Sequence, residues 1–115
     1  MEMKFHLHPD VFDIVKNGIK NVEVRLNDEK RKQLKIGDTL IFLKRPNDDE
    51  EIKACVTNLK YFENFSELVD NYDMERLYLS NYTKEMFLNE LLRFYPVEEQ
   101  KKLGVVAIEF EKITE

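Results

Sequence analysis

Apolar and polar residues alternate from the start of the chain. Met3, Phe5 and Leu7 fall on one side of an extended segment and Lys4, His6 and His8 on the other, which is the period of a strand ending at Pro9. Pro9 suits the first turn of a helix, Asp10 sets a negative charge at its positive end, and Val11, Phe12, Ile14 and Val15 form an apolar stripe that stops near Gly18. Residues 21–26 return to period two, with Val22, Val24 and Leu26 opposing Asn21, Glu23 and Arg25. The charged stretch 27–35 predicts one or two helical turns. Gly37 and Asp38 then mark a turn, and residues 39–43, apolar on both faces, predict a central strand. A polar loop over 46–51 leads into a long strand over 52–62, where Ile52, Ala54 and Val56 alternate with Lys53, Cys55 and Thr57, so the two strands form a hairpin. Helical spacing follows at 66–72 and 83–95, the second carrying Phe87, Leu88, Leu91, Leu92 and Tyr95. Pro96 opens a further helix that Gly104 stops, and Val106, Ile108 and Phe110 oppose Ala107, Glu109 and Glu111 in a last strand over 105–113. The sum is an α+β fold: about five strands, flanking helices after the first and fourth, and a mixed sheet that curls into a small barrel.

Length and composition narrow the class. At 115 residues the chain suits a single domain over 1–115 with one real core. Apolar residues at 43%, charged residues at 36% and only three Gly and three Pro exclude low-complexity and disordered classes. One cysteine, Cys55, excludes an internal disulfide framework and a CxxC metal or redox motif, which fits a reducing, cytoplasmic setting. Cys55 itself reads as an inert buried thiol in its strand. No signal-type leader and no apolar run of membrane-spanning length are present, so a membrane is not an expected partner.

The formal net charge of −5 argues against coating nucleic acid through bulk charge. The charge is uneven, however: residues 16–32 carry six bases against three acids, and residues 63–90 carry seven acids against two bases. A local basic site and an acidic face are therefore both available. The acidic face allows a protein-interaction module, and it equally fits solvated helix surfaces.

The basic segment contains the most specific pattern: Gly18-Ile-Lys20-Asn-Val-Glu23-Val-Arg25, then Gly37-Asp38 at the start of the next strand. Gly18 lets the helix end with positive φ and turn directly into the strand. Glu23 and Arg25 share the polar face, where a carboxylate and a guanidinium can pair or jointly hold a ligand. Lys20 has the opposite parity, so an irregular start near Asn21 is needed to bring it into the same cleft. A purely structural ion pair is the competing account of the trio, against which stands the desolvation cost of three charges on one short sheet face.

This segment resembles the signature of the ASCH domain family of the PUA-like superfamily, and the order of elements along the whole chain is similar too. The resemblance implies an ASCH-type, PUA-like barrel with a cleft that binds RNA or a nucleoside- or nucleotide-like ligand. Lys20, Glu23 and Arg25 would line it, with Lys30, Arg31 and Lys32 extending a positive rim and Gly18, Gly37 and Asp38 as structural turns. It also implies an alternative, since some members look like small amidohydrolases acting on acetylated cytidine and some are associated with ribonuclease activity. In the amidohydrolase pattern Lys20 would act as nucleophile or general base. This chain has Glu23 where that pattern has Thr, and its distal acid has no clean match, with Glu75 and Glu85 as the nearest candidates.

Other constellations are weaker. His6 and His8 share one strand face, and His6 also suits the motif cleft; no third ligand at fitting spacing accompanies them, so neither a metal nor a cofactor is expected. Tyr61, Phe62, Phe65, Tyr72, Tyr78 and Tyr82 include candidates for stacking on a base, although packing is the commoner use of aromatic side chains. The sequence leaves the oligomeric state and the identity of the ligand open.

Overall fold

The computed structural model describes residues 1–114. In chain order the elements are β1 (Glu2–Leu7), α1 (Pro9–Lys16), β2 (Val22–Leu26), α2 (Glu29–Lys32), β3 (Thr39–Lys44) and β4 (Glu51–Phe62). They continue with α3 (Phe65–Asp70), α4 (Met74–Leu77), α5 (Lys84–Phe94), α6 (Val97–Leu103) and β5 (Val105–Lys112). The five strands form one mixed sheet in the order β1-β3-β4-β5-β2, parallel only between β1 and β3. The sheet curls into a half-barrel, confirming the α+β class. Its two edge strands, β1 and β2, are not hydrogen-bonded to each other, so the curl stays open along one seam. A shift of register between Val56 and Asn58 breaks the β4·β5 ladder and lets the long strand bend.

Alternation along the strands creates two apolar layers. Met3, Phe5, Leu7, Leu40, Phe42, Ile52, Val56, Val106, Ile108 and Phe110 pack with Val11, Phe12 and Val15 of α1 on the inner face of the curl. On the outer face Val22, Val24, Val105 and Ala107 are covered by Phe65, Leu68, Val69, Leu77, Phe87 and Leu91 of α3, α4 and α5. Strands β2 and β5 are thereby sandwiched. Glu23 pairs opposite Ile108 and Arg25 opposite Val106, so both charged residues of β2 lie on the inner face, beside the main core.

Most predicted elements appear within a residue or two of their expected ends. The single-turn helix α4 has no counterpart in the sequence reading, because one turn is too short to show a period. Cys55 is half-buried rather than buried, since it belongs to the outward set of β4.

Candidate functional site

The segment between α1 and β2 is fixed from three sides. The backbone N–H groups of Ile19 and Lys20 both donate to the Ile14 carbonyl at 3.0 Å, Asn21 N–H donates to the Arg76 carbonyl at 3.1 Å, and Phe110 N–H donates to the Asn21 carbonyl at 3.0 Å. Gly18, at φ +78°, lets the chain reverse there. Regular pairing in β2 starts only at Val22, so Lys20 is not bound by the parity of the strand and turns inward.

Lys20 is 2% exposed and Glu23 4% exposed. The Lys20 ammonium donates to the carbonyls of Val22 at 2.5 Å and Leu77 at 2.6 Å, and lies 3.8 Å from Glu23 Oε2. Arg25 Nη1 donates to Glu23 Oε1 at 2.5 Å and to the Val24 carbonyl at 2.8 Å, and its guanidinium lies 4.7 Å from the centre of the Phe5 ring. Phe5 belongs to β1, so this contact reaches across the open seam of the half-barrel. Glu23 Oε2 has no hydrogen-bond partner although it is buried.

Burial is the largest influence on all three groups. It pushes the Lys20 ammonium below its ordinary pKa, and the attraction of Glu23 only partly offsets this. Burial alone would raise the Glu23 carboxyl, but Arg25, Lys20 and the Val24 N–H outweigh it and hold the group below the usual carboxylate range. Burial opposes the charge on Arg25 as well, and Glu23 overcomes it, leaving the guanidinium above its ordinary value.

These side chains form the floor of a cleft of about 300 Å³. One wall carries His6, Leu7, His8 and Arg45 from the ends of β1 and β3, and the other carries Tyr78 from the end of α4 with Phe87, Leu91, Phe94 and Tyr95 from α5 and its C-terminal end. Tyr78 stacks on Phe87 at 4.9 Å between ring centres, whereas Phe94 is 66% exposed at the mouth. A larger concavity of about 570 Å³ lies elsewhere, along residues such as Asn27, Tyr61, Val97 and Gly104, but its lining contains no buried charge.

The expected rim falls differently. Lys30, Arg31 and Lys32 sit on α2 and do not line the cleft; Arg31 stacks behind it, 5.2 Å from the Phe5 ring centre, and Lys32 pairs with Glu29 at 3.5 Å. Gly37, at φ +96°, and Asp38 form the turn into β3, where the Asp38 carboxylate accepts from Lys35 N–H at 2.8 Å. Glu75 and Glu85 are exposed and outside the cleft, whose only lining acid among the described residues is Glu23. Among the described residues no group of three or more metal-ligating side chains is present, and no helix is long and apolar enough to cross a membrane.

Arg45, Phe94 and Tyr95 escaped the sequence reading as cleft residues. Tyr95 belonged to the apolar helical stripe over 87–95, Phe94 lies off that stripe and carried no signal of its own, and Arg45 becomes visible only once β1 and β3 are known to be parallel neighbours. Leu7 then lies opposite Lys44, and Arg45 falls beside His8.

Comparison with known proteins agrees with the fold. The ASCH domain family matches residues 5–114. The crystal structure of hypothetical protein PH0355 is 33% identical, with a TM-score of 0.85 over 98% of this chain and 100% of that one. The solution NMR structure of protein PF0455 from Pyrococcus furiosus is 31% identical, with a TM-score of 0.79 over the full length of both chains. No curated protein matches.

Proposed function

Because the chain belongs to the ASCH domain family, we propose that its cleft binds RNA or a nucleotide-like ligand, taking one base at a time. The observation that carries this reading is the buried cluster of Lys20, Glu23 and Arg25 at the floor of a cleft with an aromatic wall. Three ionisable groups inside a half-barrel cost desolvation that apolar residues would avoid, so the site keeps polarity at the expense of packing. The aromatic side supplies flat surfaces of the kind on which bases stack, and the small volume suits one nucleotide rather than a helix.

The hydrolase alternative draws less support from this arrangement. The Lys20 ammonium is engaged with two carbonyls, and among the described residues no second carboxylate lines the cleft to handle protons. In the acidic region 63–90 the apolar side chains pack into α3, α4 and α5 while acids such as Glu67, Glu75 and Glu85 stay exposed, and Asp70 pairs at the surface with Lys84; among the described residues no cleft lined by these acids says what that face would bind.

Calorimetric titration with the four ribonucleosides, their monophosphates and short single-stranded RNAs tests the reading. Phe94→Ala is the informative variant because its ring is exposed and contributes little to the core. Stacking on it predicts an affinity loss of about tenfold or more. Absence of binding by the wild type refutes the cleft reading, and equal binding by the variant refutes stacking on Phe94.

A further inference from the structure

The two lips of the cleft differ in chemistry. The chain contains two histidines, His6 and His8, and both line the same wall. Parallel pairing of β1 with β3 brings Arg45 alongside them, its N–H donating to the Leu7 carbonyl at 2.9 Å. The Arg45 side chain is exposed and makes no ion pair or side-chain hydrogen bond among the described residues. His6 Nδ1 lies 3.1 Å from Asp48 Oδ2, which fixes the ring and leaves Nε2 free. Asp48 is held for this contact at φ +55°, a left-handed conformation that Asp tolerates better than most residues.

Of the acids near this lip, Asp49 in the loop after β3 is exposed and makes no ion pair among the described residues, but neither it nor Asp48 lines the cleft. Asp48 holds His6, and the Asp10 carboxylate accepts from Val11 N–H at 2.9 Å. Glu23 on the floor is paired with Arg25. The lip therefore offers one unpaired guanidinium and two imidazoles, with no uncommitted carboxylate among the cleft-lining residues to compete for them.

We propose that Arg45, His6 and His8 form a phosphate subsite on the polar lip, so that the ligand is a nucleoside bearing a phosphate monoester or diester. This rests on the cleft reading above and specifies what its ligand must carry. A planar guanidinium fork matches phosphate oxygens in two parallel bonds, and imidazole N–H groups complete the set of donors. The aromatic lip opposite then receives the base. The guanidinium of the rim comes from the end of β3, and not from the cations of α2, which do not line the cleft.

Because both histidines belong to the subsite, a long-range ¹H–¹⁵N spectrum of the imidazoles reports on it directly. Titration of the protein with inorganic phosphate is expected to shift both rings saturably. Chloride at equal ionic strength should not reproduce this, and Arg45→Gln should weaken the response about tenfold. Absence of a saturable shift overturns the subsite, whatever the cleft does with bases. In parallel, nucleoside 5′-monophosphates should bind about tenfold more tightly than the matching nucleosides, with Arg45→Gln abolishing the difference. A trinucleotide in place of the monophosphate tells a strand phosphate from a free nucleotide, and tighter binding of either than of the nucleoside supports the subsite. Equal affinity for nucleoside and nucleotide overturns the subsite and leaves the cleft reading standing. Imidazole shifts with phosphate but no response to any nucleoside support the subsite and refute the aromatic wall as a base site.

Discussion

Lys20 is held more firmly than a reactive amine requires. Its ammonium joins the start of β2 to the end of α4 through the Val22 and Leu77 carbonyls and faces Glu23 as well. Lys20→Met keeps the length of the side chain but strands two buried carbonyls and weakens the neutralisation of Glu23. Urea unfolding should record a loss of about 3 kcal/mol. A loss below about 1 kcal/mol, with binding abolished, would instead mark the lysine as a ligand contact. Glu23 makes a separate prediction through pH. Its folded-state carboxyl lies below the ordinary range, so the stability it contributes is complete above that range, about pH 4.3, and is lost as pH falls through the folded value. Glu23→Gln should therefore be less stable than wild type at neutral pH, and the gap should narrow on acidification; a gap that is constant from pH 7 to pH 3 contradicts the charge-paired carboxylate. The sequence showed Glu23 and Arg25 on one face because strand parity is strict. It also showed that Lys20 needed an irregular start, which the chain supplies by delaying β2 to Val22.

At the scale of elements, the junction of α6 and β5 shows how a single backbone position sets the frame for the site. Gly104 ends α6 at φ +71°, its N–H donates to the Gln100 carbonyl at 2.8 Å, and its own carbonyl accepts from Asn27 N–H at 3.0 Å. A Cβ there would stand 3.2 Å from the Phe62 carbonyl oxygen. Gly104→Ala meets both an unfavourable φ and a backbone contact, so it should destabilise by more than about 1 kcal/mol and loosen the start of β5 against β2. Hydrogen exchange at the amides of β2 and β5 would report this, and an unchanged exchange pattern would count against it. Elements with a clear period, such as β1, α1, α5 and β5, were legible from residue spacing alone. Placement between elements was not: α2 carries Lys30, Arg31 and Lys32 as expected, yet its packing sets only Arg31 behind the cleft. Arg45 had no local signal because the parallel pairing of β1 with β3 joins residues more than thirty-five positions apart.

For the whole molecule, the decisive feature is the open seam between β1 and β2. A closed barrel would bury the inner face of β2 completely. Leaving the edges unpaired lets Arg25 reach across to Phe5 and exposes the cluster to a cleft at one end of the curl. The rest of the surface works against extended nucleic-acid binding, because the net charge is −5 and most basic side chains near the cleft, such as Arg25, already have acidic partners. Binding should therefore be confined to the cleft and involve one phosphate or two. For a single strand the dependence of log affinity on log salt is about −0.7 per phosphate neutralised, so a short RNA should give a slope of about −0.7 to −1.4. Titrations between low and moderate salt would measure it. A slope steeper than about −3 would require more than about four phosphates, and hence a binding path that leaves the cleft and runs over the surface.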